Sequence, residues 1–271
     1  MICVYDGSFE GLLTVAAETC HAGLTPTEVV RGDAWQPSLL DDATSIATDA
    51  GRAHALMDTL RGTGSQRIPR NVIYCYLSEL PGFETPLVAY IARMVREGAT
   101  ADRHHSDDTV RAVHAMAQKV GHEIHRFTGL LRFRELSDGT LWAPLEPDHN
   151  IVYSVAVHFS RRLPNREWVV YDMRRDFGVA WKERRLVLVN MNPDLYAAAA
   201  RVADAPDKVI SADERHYQQL WNVYFRNIAI GTRINPRLQR NFMPQRYWAY
   251  LVEHPQRSGI RSQKPGVGSQ E

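Results

Sequence analysis

Val110, Val113, Ala117, Val120, Ile124 and Phe127 recur at alternating three- and four-residue steps, and after Gly129 the apolar spacing falls to two. No other feature restricts the fold as much. The first pattern lays one apolar stripe along about five turns of helix, and the second belongs to a strand with one covered face. A long helix therefore runs directly into a sheet. Leu131, Phe133 and Glu135 alternate with Leu130, Arg132 and Arg134, which predicts a strand carrying both arginines on one face. Ser137-Asp138-Gly139 predicts a hairpin turn, with Thr140 to Leu145 as the returning strand. Pro147 and Asp148 open a helix with Val152, Val155, Ala156 and Phe159 inward. Trp168 to Asp172, Phe177 to Trp181 and Arg185 to Val189 add three strands, and Asp213 to Ile228 a further helix.

The N-terminal part reads mostly as helix. Ile2 to Tyr5 is a short buried strand, followed by the turn Asp6-Gly7 and a helix capped by Ser8. Its apolar face is Phe9, Leu12, Leu13, Ala16, Ala17 and Cys20. Such a strand–turn–helix entry can hold a phosphate at the helix N-terminus, although no glycine-rich loop accompanies it. Thr25 to Pro37 reads as loop or short extended chain, and Asp41 to Leu60 as helix. Pro69 opens another helix (Val72, Ile73, Tyr76, Leu77 and Leu80 inward), and Glu84 to Arg96 makes the next. His104 to Asp108 forms a polar joint, with Ser106 as the expected cap of the long helix.

The expected class is mixed α+β, a helical N-terminal lobe packed on a sheet-containing C-terminal lobe with hairpins. The alternative is a three-layer α/β arrangement. Residues 1–254 are expected to form a single globular domain, divisible into lobes 1–103 and 104–254, with 255–271 as a flexible tail poor in apolar groups.

A formal net charge of +1 over 271 residues rules out a polybasic protein, so a nucleic-acid partner would need positive charge gathered on one face. Arginine carries nearly all of that charge, because Lys119, Lys182, Lys208 and Lys264 are the only lysines. The bias suits bidentate phosphate contacts, and a GC-rich genome produces it as well. Cys3, Cys20 and Cys75 are too scattered for a disulfide framework or a metal-binding pair. With no apolar run fit for a signal peptide or a bilayer span, the expected location is the cytoplasm.

The segment Gly231 to Leu251 interleaves Arg233, Arg237, Arg240 and Arg246 with Phe242, Tyr247, Trp248 and Tyr250. Asn235-Pro236 and Met243-Pro244 mark starts of helical turns. Arginine forks and flat rings are groups that hold phosphates and unstacked bases. The aromatic stripe of the preceding helix (Tyr217, Leu220, Trp221, Tyr224, Phe225 and Ile228) reads as core. His158 with Asp172 is the candidate acid–base pair, Asp172 orienting the imidazole or binding a cation. A solvated ion pair with Arg174 and Arg175 is the plainer reading of that aspartate. His122, Glu123 and His125 depart from the zincin spacing by one residue, so no metal and no cofactor is expected.

Three stretches, VYDGSFEGLL, GLLRFRE with His158-Phe159, Arg162 and VVYD, and INPRLQRNFMPQRYWAYL, together resemble a bacterial family of undefined biochemistry. Its members carry DNA-repair or DNA-metabolism labels, partner a radical-SAM protein of DNA-repair type, and occur joined to uracil-DNA glycosylase-like domains. The resemblance implies functional weight for Asp6-Gly7-Ser8, Arg132-Phe133, His158-Phe159 with Arg162, Asp172, and Asn235-Pro236 with Arg240, Pro244, Arg246 and Trp248. It implies a DNA-binding component of a repair or modification system, contacting single-stranded or damaged DNA. Arg132, Arg134, Arg161, Arg162, Arg237, Arg240 and Arg246 would meet phosphate, with Tyr247 and Trp248 stacking. The alternatives are an enzyme processing a damaged nucleotide or DNA end, and a scaffold that binds only protein. The radical-SAM cysteine cluster is not in this sequence.

Overall fold

A computed structural model describes residues 1–37, 42–190, 210–228, 237, 240 and 242–252. The chain is mixed α+β and divides into two compact units, Met1–Glu123 with Asp148–Ile151, and Ile124–Pro147 with Val152–Glu271. The division falls inside one long helix.

In the first unit β1 (Ile2–Tyr5) is the centre of a three-stranded parallel sheet, flanked by β2 (Glu28–Arg31) and β3 (Ala43–Ser45). Neither flanking strand was expected as part of a sheet. Residues 43–45 belong to β3 rather than to a helix, because Asp49 accepts from the Arg52 N–H at 3.0 Å and so fixes the start of α2 (Ala50–Gly62). Helix α1 (Phe9–His21) has Ser8 as its cap, as expected, with Ser8 Oγ accepting from the Gly11 N–H. Next come α3 (Arg67–Leu77) and α4 (Glu84–Glu97). In α3 the buried face is Ile68, Asn71, Val72 and Cys75, so Ile73, expected inside, is exposed. Asp107, not Ser106, caps the long helix α5 (Asp108–Leu130), accepting from the Val110 N–H at 3.0 Å.

The second unit is built on a five-stranded sheet in the order β4-β5-β6-β7-β8. These strands are Arg134–Glu135, Leu141–Leu145, Trp168–Asp172, Phe177–Lys182 and Arg185–Asn190. β5 and β6 run parallel through the crossover helix α6 (Val152–Arg162), and the other neighbours are antiparallel. Helix α6 starts later than Pro147 suggests. Buried Glu123 takes the Asp148 and His149 N–H groups at 2.9 Å each, and those residues form the lead-in instead. The core stacks Trp142 on Tyr171 and Trp168 on Trp181, and Phe133 meets Phe159 edge-on at 4.9 Å. Helix α7 (Ala212–Ile228) and a 3₁₀ segment, Gln245–Tyr250, complete the described chain. Among the described residues no helix is long and apolar enough to cross a membrane.

Candidate nucleic-acid interface

Helix α5 ends just after Gly129, leaving its last carbonyls without helical partners. Arg132 supplies them. Its Nη1 donates to Gly129 O and Leu130 O at 3.1 Å each, a cationic C-terminal cap that also suits the helix dipole. This capping is why residues 131–133 are not strand and why β4 is confined to Arg134–Glu135. The same guanidinium lies 5.4 Å from the centre of the Trp221 ring, a cation–π distance.

Trp221 belongs to α7, capped by Ser211 Oγ accepting from the Glu214 N–H. Tyr217, Trp221 and Tyr224 occur at i, i+4 and i+7 and so share a face. That face is largely open at Tyr217 and Tyr224, 65% and 54% exposed, and partly covered at Trp221, 39% exposed. The sequence reading had assigned this stripe to the core. Amphipathic spacing reveals a helix with an apolar side, but it does not identify what covers that side. Here the stripe forms one wall of a groove of about 580 Å³ whose opposite side carries Arg132, Phe133 and Val252. Rings Trp221 and Tyr224 lie 5.7 Å apart at 34°. Glu214 is the acidic residue in this wall, and its carboxylate is engaged by the Gln218 amide at 2.8 Å.

Arg134 does not project beside Arg132. Burial pulls its pKa below the usual arginine value, opposed by the nearby Glu214 charge. One Nη donates to Tyr250 O at 3.4 Å, while its Nε is buried without a partner. Half-buried, it ties the strand to the 3₁₀ segment through Tyr250. Tyr247 is 3% exposed, with its ring edge-on to Phe127 at 4.7 Å, so it cannot stack on a base. Trp248 is half-buried and donates from its indole N–H to Met243 O at 3.0 Å. Arg161 and Arg162 are exposed at the end of α6, and Arg237 and Arg240, later in the chain, are exposed too. Asn235, Pro236, the Arg246 side chain and the tail 255–271 lie outside the described residues.

His158 and Asp172 are not brought together. His158 is exposed on α6, its ring edge-on to Phe159. Asp172 is fully buried, and its carboxylate closes the turn after β6 by accepting from the Arg174 and Arg175 N–H groups and from Arg175 Nη1 at 2.9 Å. Burial pushes its carboxyl above the ordinary range, against the lowering effect of Arg175. Its neighbours in sequence thus satisfy it, as the ion-pair reading expected, although the pair is buried rather than solvated.

Asp6-Gly7-Ser8 also has a structural assignment. Asp6 Oδ1 accepts from Ser8 N and Oγ, and Oδ2 from Thr48 Oγ1, which together hold its carboxyl below the usual range. Gly7 takes φ of +85°, and a Cβ on Gly11 would lie 2.2 Å from Asp6 Oδ1. The anion at this helix N-terminus is the chain's own carboxylate, which occupies the place a phosphate would take. In α5, Glu123 turns inward as described, away from exposed His122 and His125. Among the described residues no three acidic, histidine or cysteine side chains converge on a metal position.

The fold and its groove define an α+β protein with an open aromatic surface beside a helix-capping arginine. The chain belongs to the DUF4130 family, a domain of unknown function, whose family model matches residues 81–253. No curated protein sequence matches the chain.

Proposed function

We propose that the protein binds single-stranded or damaged DNA, as the DNA-binding component of a repair or modification system working beside a radical-SAM protein. The observation that carries the DNA reading is the solvent-open ladder Tyr217–Trp221–Tyr224 with the Arg132 guanidinium against its central ring. Every base has a π-face, so such a ladder takes up unpaired bases with little regard to sequence. Exposed Arg161, Arg162, Arg237 and Arg240 are the phosphate contacts of this reading. Arg134 and Tyr247 leave it, the first half-buried and engaged with Tyr250 O, the second buried. The sequence resemblance alone supports the radical-SAM partner and the connection with glycosylase-like domains. An enzyme built on His158 and Asp172 is not proposed, because His158 is exposed on α6 while Asp172 is fully buried and committed to its own turn.

Fluorescence anisotropy with a short oligonucleotide tests the proposal. Each lost stack is expected to cost about 1–3 kcal/mol. Trp221→Ala with Tyr224→Ala should therefore weaken single-strand binding by at least about tenfold, and added salt should weaken the native complex steeply. Binding unchanged in the double variant would overturn the reading. A protein that ignores the oligonucleotide but captures its protein partner through the same face would replace it with the scaffold.

A further inference from the structure

Helices α3 and α5 of the first unit enclose a second groove, of about 470 Å³. Arg67, Arg70, Asn71 and Tyr74 follow one another at i, i+3, i+4 and i+7 on α3. His114, Gln118 and His122 do so at i, i+4 and i+8 on α5, with Ala117 and Gly121 between them leaving room. Among the described residues no acidic side chain lines this groove, whereas two arginines and two histidines do.

A closed network lies beneath it. Asp102 is 3% exposed and receives the Tyr90 hydroxyl at 2.7 Å and Arg67 Nε at 2.7 Å, with His114 Nε2 at 2.5 Å. Burial acts to raise its pKa, but the hydrogen bonds from His114, Tyr90 and Arg67 outweigh burial and hold the carboxyl below the ordinary range. An ionised carboxylate only accepts, so His114 Nε2 carries the proton and donates. The ring is thereby fixed in orientation, with Nδ1 as its other hydrogen-bonding atom. Arg70 and His122 have no hydrogen bond or ion pair among the described residues and sit at the groove wall.

We propose that this α3–α5 groove binds a phosphate monoester, with Arg70 and His122 as its donors and Asp102 as the residue that holds Arg67 and positions His114 in the groove wall. Its volume suits a nucleotide-sized group. A dianion matches a lining with two arginines and, among the described residues, no carboxylate. The proposal concerns the first unit alone and does not rest on the aromatic groove.

Binding to the full chain is measured with inorganic phosphate and with one short oligonucleotide carrying either a 5′-phosphate or a 5′-hydroxyl. A 5′-phosphate that improves affinity by about tenfold, the value of one or two charge-assisted hydrogen bonds, assigns the site to a nucleic-acid end. Saturable binding of inorganic phosphate without that improvement assigns it to a small phosphorylated molecule. Either gain should vanish in Arg70→Ala with His122→Ala, both exposed positions, and should persist in Trp221→Ala with Tyr224→Ala. No phosphate response from either probe, or a response indifferent to the Arg70 and His122 changes, overturns the site. In Asp102→Asn, nitrogen NMR of the His114 ring should report a changed tautomer mixture along with several-fold weaker phosphate binding. An unchanged ring and affinity would remove Asp102 from its positioning role.

Discussion

Two buried aspartates, one in each unit, are held in opposite ways. Asp172 closes its own turn, its partners lying two and three residues on. Asp102 gathers Arg67 from α3, Tyr90 from α4 and His114 from α5, groups 12 to 35 residues away in sequence. The local arrangement seals its carboxylate and leaves no donor directed elsewhere. The long-range one fixes three side chains at once, and two of them, Arg67 and His114, line a groove. A buried charge met by its neighbours is a structural fastening; one met from distant helices can organise a surface.

The largest test of that contrast is Asp102→Ala. Removing one partner of a buried charged network costs about 3 kcal/mol, so urea denaturation should show the loss, with hydrogen exchange rising first in α3, α4 and α5. Asp172→Ala should cost somewhat less, about 2 kcal/mol, because it frees backbone N–H groups at a turn. Its exchange increase should stay within β6 and β7. Equal, global losses in both variants would erase the distinction.

Acid should separate the two without mutation. Asp102 has a folded pKa below its unfolded one, so its contribution is present above the unfolded value and is lost as pH falls through the folded value. Asp172 has a raised folded pKa, so its contribution is full below the unfolded value and declines as pH rises through the folded one. Lowering the pH from neutrality should therefore loosen α4 and α5 while β6 holds, as read by exchange at a series of pH values. Simultaneous loss would contradict the opposite directions.

The smallest effect expected is on stability in Tyr217→Ala. A ring that is 65% exposed should change folding free energy by no more than about 0.5 kcal/mol. A much larger loss would return the α7 stripe to the core, where its spacing alone had placed it.

Much of the secondary structure was legible, because α4, α5, β6, β7 and α7 each carry a sustained period. β2 and β3 were not: four-residue β1 is an unbroken apolar run, whereas Glu28–Arg31 and Ala43–Ser45 carry charged or hydroxyl residues and are mostly not buried. The start of α2 was misplaced because apolar spacing was followed through Ile46, while the signal that decides it is the Asp49 cap. Arg132 alternated with Arg134 on paper, yet the free carbonyls at the end of α5 claim it. Of the expected site, the basic and aromatic composition of the second unit was readable, but which rings face solvent was not. Tyr247 and Trp221 look alike in sequence, and only packing against Phe127 separates the sealed ring from the open one. The Asp102 network escaped altogether, as its members are dispersed over three helices and share no motif.

Photocrosslinking of a 5-bromouracil-substituted single strand to the full chain, mapped by mass spectrometry, tests the central claim most directly. The account predicts adducts on Tyr217, Trp221 and Tyr224 that an unsubstituted competitor strand suppresses. Adducts confined to other surfaces, or none at strand concentrations that saturate binding, would contradict it.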